Sequence, residues 1–183
     1  MPHMDQDFST AGDNSVSYLT RAGKGEGICA CTSVHWAKKC ARLGRKLKSK
    51  SEMGNPLAIG AAHVGNLIEI THSGHSWTSV MYPNLGVTGT SVGHGNFGAD
   101  YAGLVASTKT PYIFSFEGIY KGKPAAHAVA FWKGKSSYAF FDPNYGQYSC
   151  SRGSTFRACV PHFINQEYAF MNPNKWWLDS IQA

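Results

Sequence analysis

The sequence predicts an α+β fold in which N-terminal helices pack on a C-terminal antiparallel sheet. Two observations lead there. Between residues 29 and 70, apolar side chains recur at the spacing of helices that bury one face. Between residues 112 and 142 the period changes, and short apolar runs rich in aromatics are separated by turn residues. Composition sets the scale. A chain of 183 residues, 43% hydrophobic and 15% charged, can build one sizeable core and is not wholesale disordered.

Taken in order, residues 1–24 carry little apolar pattern and read as a flexible N-terminal arm, with Met1-Pro2-His3-Met4 resembling an expression remnant. Residues 25–183 read as a single domain. From Cys29 to about Leu47, the stripe Trp36, Cys40, Leu43 and Leu47 predicts an amphipathic helix, with Val34, Ala37 and Ala41 beside it. A charged break over 48–55 follows. A second helix is predicted over 56–70, with Pro56 in its first turn. Residues 77–82 fit a short strand or a short helix equally. Gly86, Gly89, Gly93, Gly95 and Gly98 mark a loop, and a third helix is predicted from about 97–99 to 107. Strands are predicted over 112–116, 126–132 and 138–142, the last two joined by a Lys133-Gly134-Lys135-Ser136 turn. Pro143-Asn144-Tyr145-Gly146 ends the hairpin. A fourth strand near 155–160, a short helix around 161–169 and an anchoring Trp176-Trp177-Leu178 complete the core.

Several classes fall away. No apolar run approaches the roughly 18 residues that span a bilayer, and the first thirty residues lack the pattern of a secretory signal peptide. Five cysteines cannot all pair within one chain, which fits a reducing compartment better than a disulfide framework, although Cys150 and Cys159 could pair. His63, His72, His75 and His94 show no convincing ligand spacing, there is no Cys-x-x-Cys, and the glycine loop lacks a Walker lysine. Neither a metal nor another cofactor is expected.

The net charge is +6, and Lys38, Lys39, Arg42, Arg45, Lys46, Lys48 and Lys50 supply seven of the 17 basic residues. This run is either a solvated helix face or a dock for anionic lipid or inositol phosphate. It lacks interleaved aromatics and a nucleic-acid motif, so nucleic acid is not the expected partner.

The chemistry concentrates at Cys29. A glycine-rich approach, Gly23-Lys24-Gly25-Glu26-Gly27, leads into a cysteine that opens a helix. There the unpaired N–H groups and the positive end of the helix dipole favour thiolate, the nucleophilic form. Cys31 lies about 200° around the helix and is the weaker candidate. His127 sits between small neighbours on one strand, and Asp142 ends the next strand fifteen residues on. Adjacent antiparallel strands can set the two side by side, so that the carboxylate fixes the imidazole and the imidazole faces the thiol.

Three blocks carry a family resemblance: Gly27-Ile28-Cys29 with Trp36 seven residues after the cysteine, His127-Ala128-Val129-Ala130, and Phe140-Phe141-Asp142-Pro143-Asn144-Tyr145-Gly146. In this order they resemble the YopT/AvrPphB family of papain-like cysteine proteases, which bacteria deliver into host cells. The resemblance spans about residues 25–170. It implies a papain-like fold and an endopeptidase that works through an acyl-enzyme, with Cys29 as nucleophile, His127 as general base and acid, and Asp142 as orienting carboxylate. It also implies secretion by a bacterium and action on a host protein in the host cytosol. One departure stands out. Residues 20–28 contain no Asn or Gln to serve the oxyanion hole, so the donors expected are the Cys29 N–H and either Lys24 or a distant amide. Some relatives act on lysine-rich lipidated tails of small GTPases. The +6 charge opposes such a substrate and points to another host protein. The same triad would serve a glutamine deamidase or transglutaminase, and a catalytically weak binding module is the alternative from another class.

Overall fold

The computed structural model describes residues 3–11, 28–73, 76–98, 103 and 110–183. Its frame is a seven-stranded sheet made of β1 (Asp5–Ser9), β2 (Thr88–Asn96), β3 (Pro111–Tyr120), β4 (Lys123–Lys133), β5 (Tyr138–Asp142), β6 (Gly146–Cys150) and β7 (Lys175–Gln182). The order is β1-β6-β5-β4-β3-β7-β2, with every pairing antiparallel. Helices α1 (Cys29–Leu43), α2 (Pro56–Ser73) and α3 (Trp77–Asn84) precede β2, and α4 (Gly153–Glu167) lies between β6 and β7. The chain thus has the expected α+β architecture.

Both faces of the sheet are covered. On one, Val34, Trp36, Ala37 and Cys40 of α1 pack with Ile113, Ala130, Trp132 and Phe141. On the other, Phe156, Val160 and Ile164 of α4 pack with Phe114, Val129, Phe131 and Phe140. Central β4 is therefore buried at every position from His127 to Trp132, which explains why its sequence is an almost continuous apolar run rather than an alternation. At the heart of the first core, the Trp36 ring stacks on Phe141 with centroids 5.4 Å apart, and its Nε1–H donates to Gln147 Oε1 at 2.9 Å.

Helix α1 stops at Leu43 because Gly44 takes a left-handed cap with φ 63°. Leu43 is consequently exposed, and Leu47 reaches the core from the segment beyond the helix, not as a fourth member of the stripe. The ambiguous stretch at 77–82 is helical and begins at a Ser76 cap whose hydroxyl accepts from Ser79 N–H at 3.3 Å.

Four expectations are corrected. Residues 5–9, read as part of a flexible arm, form edge strand β1 against β6. The approach is close: a Cβ on Gly146 would lie 2.0 Å from the Phe8 carbonyl oxygen, and Gly146 holds φ 125°. Residues 88–96 of the glycine-marked loop form strand β2, paired along its length with β7, while Gly86 and Gly98 lie in the turns at its two ends. Its glycines make room for packing rather than ending the structure, since a Cβ on Gly89 would meet the Tyr82 ring at 2.1 Å. Residues 155–160 lie within α4, where Phe156, Val160 and Ile164 recur at helical spacing, and the fourth strand of that region is β6. Pro161 is inside this helix and does not start a new one. Trp176-Trp177-Leu178 anchors the C-terminus as part of β7, between β3 and β2. Most of the helix predicted up to residue 107 and the glycine approach at 23–27 lie outside the described residues. Among the described residues, no helix is long and apolar enough to cross a membrane.

Candidate active site

The register of the β4–β5 hairpin builds one half of the site. Ala130 pairs with Phe141, so the next position sets Val129 opposite Asp142, with His127 two residues further along the same face. Such diagonal neighbours are within reach of long side chains. The His127 Nε2 lies 3.2 Å from Asp142 Oδ1, with both side chains almost fully buried. Pro143 and Asn144 turn the chain immediately after the carboxylate, and the Asn144 backbone N–H donates to the same Oδ1 at 2.8 Å.

Helix α1 builds the other half. Its first residue, Cys29, is half-buried at the N-terminus, and the Ser33 hydroxyl one turn later donates to the Ala128 carbonyl of β4 at 2.9 Å. The Cys29 thiol hydrogen-bonds the His127 imidazole and takes a further hydrogen bond from the Ala128 backbone. Burial and the Asp142 charge oppose its ionisation. The His127 imidazolium and these hydrogen bonds outweigh them, so the thiol ionises below its usual range. Conversely, burial disfavours a charged His127, but the facing thiolate and the Asp142 carboxylate hold its proton well above the ordinary histidine range. Both shifts favour a thiolate–imidazolium pair.

The other four thiols behave oppositely. Burial pushes Cys31 up to about 12, and its sulfur faces the Ile59 carbonyl oxygen inside the core. Burial also raises Cys40, Cys150 and Cys159. No disulfide joins Cys150 to Cys159. The fold thus brings Cys29, His127 and Asp142 together and turns Cys31 away.

Two neighbours were not legible in the sequence. Tyr168, just beyond α4, donates its hydroxyl proton to Asp142 Oδ2 at 2.8 Å, and its oxygen lies 2.8 Å from His127 Nε2. Its ring stacks on the imidazole with centroids 4.4 Å apart, while Phe116 meets the imidazole edge-on at 5.6 Å. The Asn144 side chain donates to the Tyr168 hydroxyl at 2.9 Å. Asn144 was legible only as a turn residue, and Tyr168 lies 41 residues from the histidine it touches, with no local pattern to mark it.

The basic run is partly consumed within the molecule. Arg45 forms a two-pronged bond with Glu52 at 2.9 and 3.0 Å, Lys46 contacts the Asp7 carboxylate at 2.7 Å, and Lys38 donates to the Leu85 carbonyl. Among the described residues, no cluster of His, Cys, Asp and Glu is suited to a metal ion. Lys24, one of the expected oxyanion donors, lies outside the described residues.

Helices laid on an antiparallel sheet, with a thiol at a helix N-terminus facing a histidine on a strand, are the architecture of a papain-like cysteine protease. Comparison with protein families makes the identity narrower. Residues 75–180 match the Peptidase C58 family, described as Yersinia/Haemophilus virulence surface antigen, and the chain belongs to that family. The matched stretch includes His127 and Asp142 and leaves Cys29 outside it. Among solved structures, the Pseudomonas avirulence protein AvrPphB is similar with a TM-score of 0.55 and 17% sequence identity, covering 85% of this chain and 92% of that one. Comparison with curated proteins finds no match. The protein is a papain-like cysteine protease of a virulence-effector family.

Proposed function

We propose that Cys29, His127 and Asp142 form the catalytic triad of an endopeptidase that cleaves a host protein. The observation that carries this is geometric: Cys29, at the start of its helix, meets the His127 imidazole, which lies 3.2 Å from Asp142. Alone among the five thiols, its ionisation is shifted downward, against burial, by that contact. The thiolate attacks the scissile carbonyl carbon and the peptide π-electrons move onto oxygen. The Cys29 backbone N–H at the helix start stabilises the developing oxyanion. His127 then gives its proton to the departing amine as the C–N bond breaks, leaving an acyl-thioester. Water, deprotonated by His127, attacks the thioester and releases the new C-terminus with the thiol. Asp142 keeps the imidazole in place throughout and stabilises its charged form.

Terminal-amine labelling of a host-cell lysate tests the reading. New N-termini are expected with the active protein and not with Cys29→Ala. Glutamine-to-glutamate shifts of about one dalton without new termini would replace the peptidase with a deamidase, and no change in any protein would leave a binding module. The substrate proposed is a host cytosolic protein met after secretion from a bacterium, and the +6 charge favours an acidic one. The catalytic unit proposed is one domain made of residues 25–183 together with edge strand β1. A dock for anionic lipid or inositol phosphate on the basic run falls chiefly to Lys39, Arg42 and Lys48, since Arg45 and Lys46 are paired. Unchanged sedimentation with phosphatidylserine vesicles after charge removal at these three positions would discard that dock.

A further inference from the structure

We propose that Tyr168 is a positioning residue for this chemistry: its hydroxyl, held between His127 and Asp142, fixes which imidazole nitrogen faces Cys29. The proposal rests on the triad reading above. A tyrosine hydroxyl has one proton and two lone pairs. Here three polar groups surround it: Asp142 Oδ2 at 2.8 Å, His127 Nε2 at 2.8 Å and Asn144 Nδ2 at 2.9 Å. Asn144 Nδ2 can only donate, and the carboxylate can only accept. The proton therefore goes to Asp142, where a charged acceptor makes the stronger bond. Both lone pairs then receive, one from Asn144 and the other from His127. That arrangement requires a proton on Nε2 and leaves Nδ1 for the thiol.

Direct contact with Asp142 alone would hold the ring less firmly, since Nε2 to Oδ1 is the longer bond at 3.2 Å. The ring of Tyr168 adds a second constraint by stacking on the imidazole at 4.4 Å, and it is itself 2% exposed. Other groups facing this cluster do not compete for the hydroxyl. Cys29 meets the imidazole from α1, Phe116 is apolar, and the Tyr145 hydroxyl is engaged with Glu167 at 2.6 Å. Burial and the Asp142 charge keep the Tyr168 hydroxyl protonated well above its usual range, so it stays a donor throughout the working pH.

The sign of its removal follows. Tyr168→Phe keeps the ring and deletes the nearer of the two acceptors around Nε2–H, leaving only the longer 3.2 Å contact to Asp142 Oδ1, so the imidazolium is less favoured and the thiolate with it. The test is the rate of Cys29 alkylation by iodoacetamide against pH, read by mass spectrometry on the full chain. The acid limb is expected to move upward by about one pH unit in Tyr168→Phe. A superimposable profile in a folded variant overturns the proposal alone. An unaltered protein whose Cys29 reacts no faster than its other thiols at pH 6 overturns the triad reading, and this inference with it. A second measurement leaves Tyr168 in place. In Cys29→Ala, where His127 has no thiolate partner, the histidine ¹⁵N shifts are expected to show the neutral ring protonated at Nε2. Protonation at Nδ1 overturns the proposal.

Discussion

Ser33 and Ala128 are joined by a 2.9 Å hydrogen bond from the hydroxyl of the helix to the carbonyl of the strand. Ser33 is four residues after Cys29, and Ala128 follows His127. One bond therefore ties together the two elements that carry the nucleophile and its base, at a fully buried position. Ser33→Ala leaves the Ala128 carbonyl short of a donor and costs about 1–3 kcal/mol in urea unfolding. Because the tether sits one turn from the thiol, Cys29 alkylation at pH 6 is expected to fall several-fold as well. A stability loss with unchanged alkylation would separate the tether from the site geometry.

The lowered Cys29 and raised His127 ionisations bracket a pH window. Because the thiol ionises below its usual range, the thiolate persists as pH falls and is lost only when the pair takes up a proton. Because the histidine is raised, the imidazolium survives above the ordinary histidine range and is lost as pH rises through its higher value. Peptidase activity is expected to be bell-shaped, its alkaline fall lying above pH 6.5 because the leaving amine then lacks its acid. A profile that rises steadily to pH 10, as an ordinary thiol would give, contradicts the ion pair.

At pH 6, iodoacetamide should alkylate Cys29 roughly 10²-fold faster than the remaining thiols, reflecting the difference in thiolate fraction. His127→Ala removes the largest influence lowering the thiol, leaving burial to dominate. Selectivity for Cys29 at pH 6 is expected to vanish in that variant and to be reduced in Asp142→Asn. Peptide mapping of the alkylated chain checks both.

Trp36 anchors the core behind the site, fully buried against Phe141. Trp36→Ala should cost about 3–5 kcal/mol by denaturant unfolding, the range for deleting a large buried ring. Trp36→Phe retains the stacking but orphans Gln147 Oε1, for a loss of about 1–3 kcal/mol. An equal loss in both would place the energy in the indole hydrogen bond instead of the packing.

Gly146 tests the closeness of β1 to β6. A methyl group there meets the Phe8 carbonyl oxygen at 2.0 Å and forces a side chain onto φ 125°. Gly146→Ala is expected to lose about 2 kcal/mol or more and to expose the Gln6 and Phe8 amides to hydrogen exchange. Unchanged exchange at those amides would mean that β1 tolerates displacement of its partner.

Much of this was legible in the chain because local physics decides it. The Trp36–Cys40 stripe marks a helix through its spacing, and the turn at 133–136 marks a hairpin through its residue types. The hairpin placed His127 beside Asp142, since antiparallel pairing converts a sequence interval into a spatial one. The errors also have a cause. Glycines at 86–98 signal loops when only backbone freedom is considered, and the packing of Gly89 against Tyr82 and of Gly95 against Trp176 is visible only once β2 has met its neighbours. The sequence predicts a short helix around 161–169 where the structure has a longer one from Gly153 to Glu167, because nothing local distinguishes a first turn from an interior one.

By itself, then, the sequence determined the α+β class, the helix that opens on Cys29 and the strand pair carrying His127 and Asp142, because each depends on side-chain period or turn chemistry within a few residues. Only the tertiary structure decided that Cys29 faces the imidazole while Cys31 is buried, that edge strands β1 and β2 close the sheet, and that Tyr168 sits between His127 and Asp142. Those outcomes depend on surfaces separated by tens of residues, whose burial and charge have no meaning until the chain has packed.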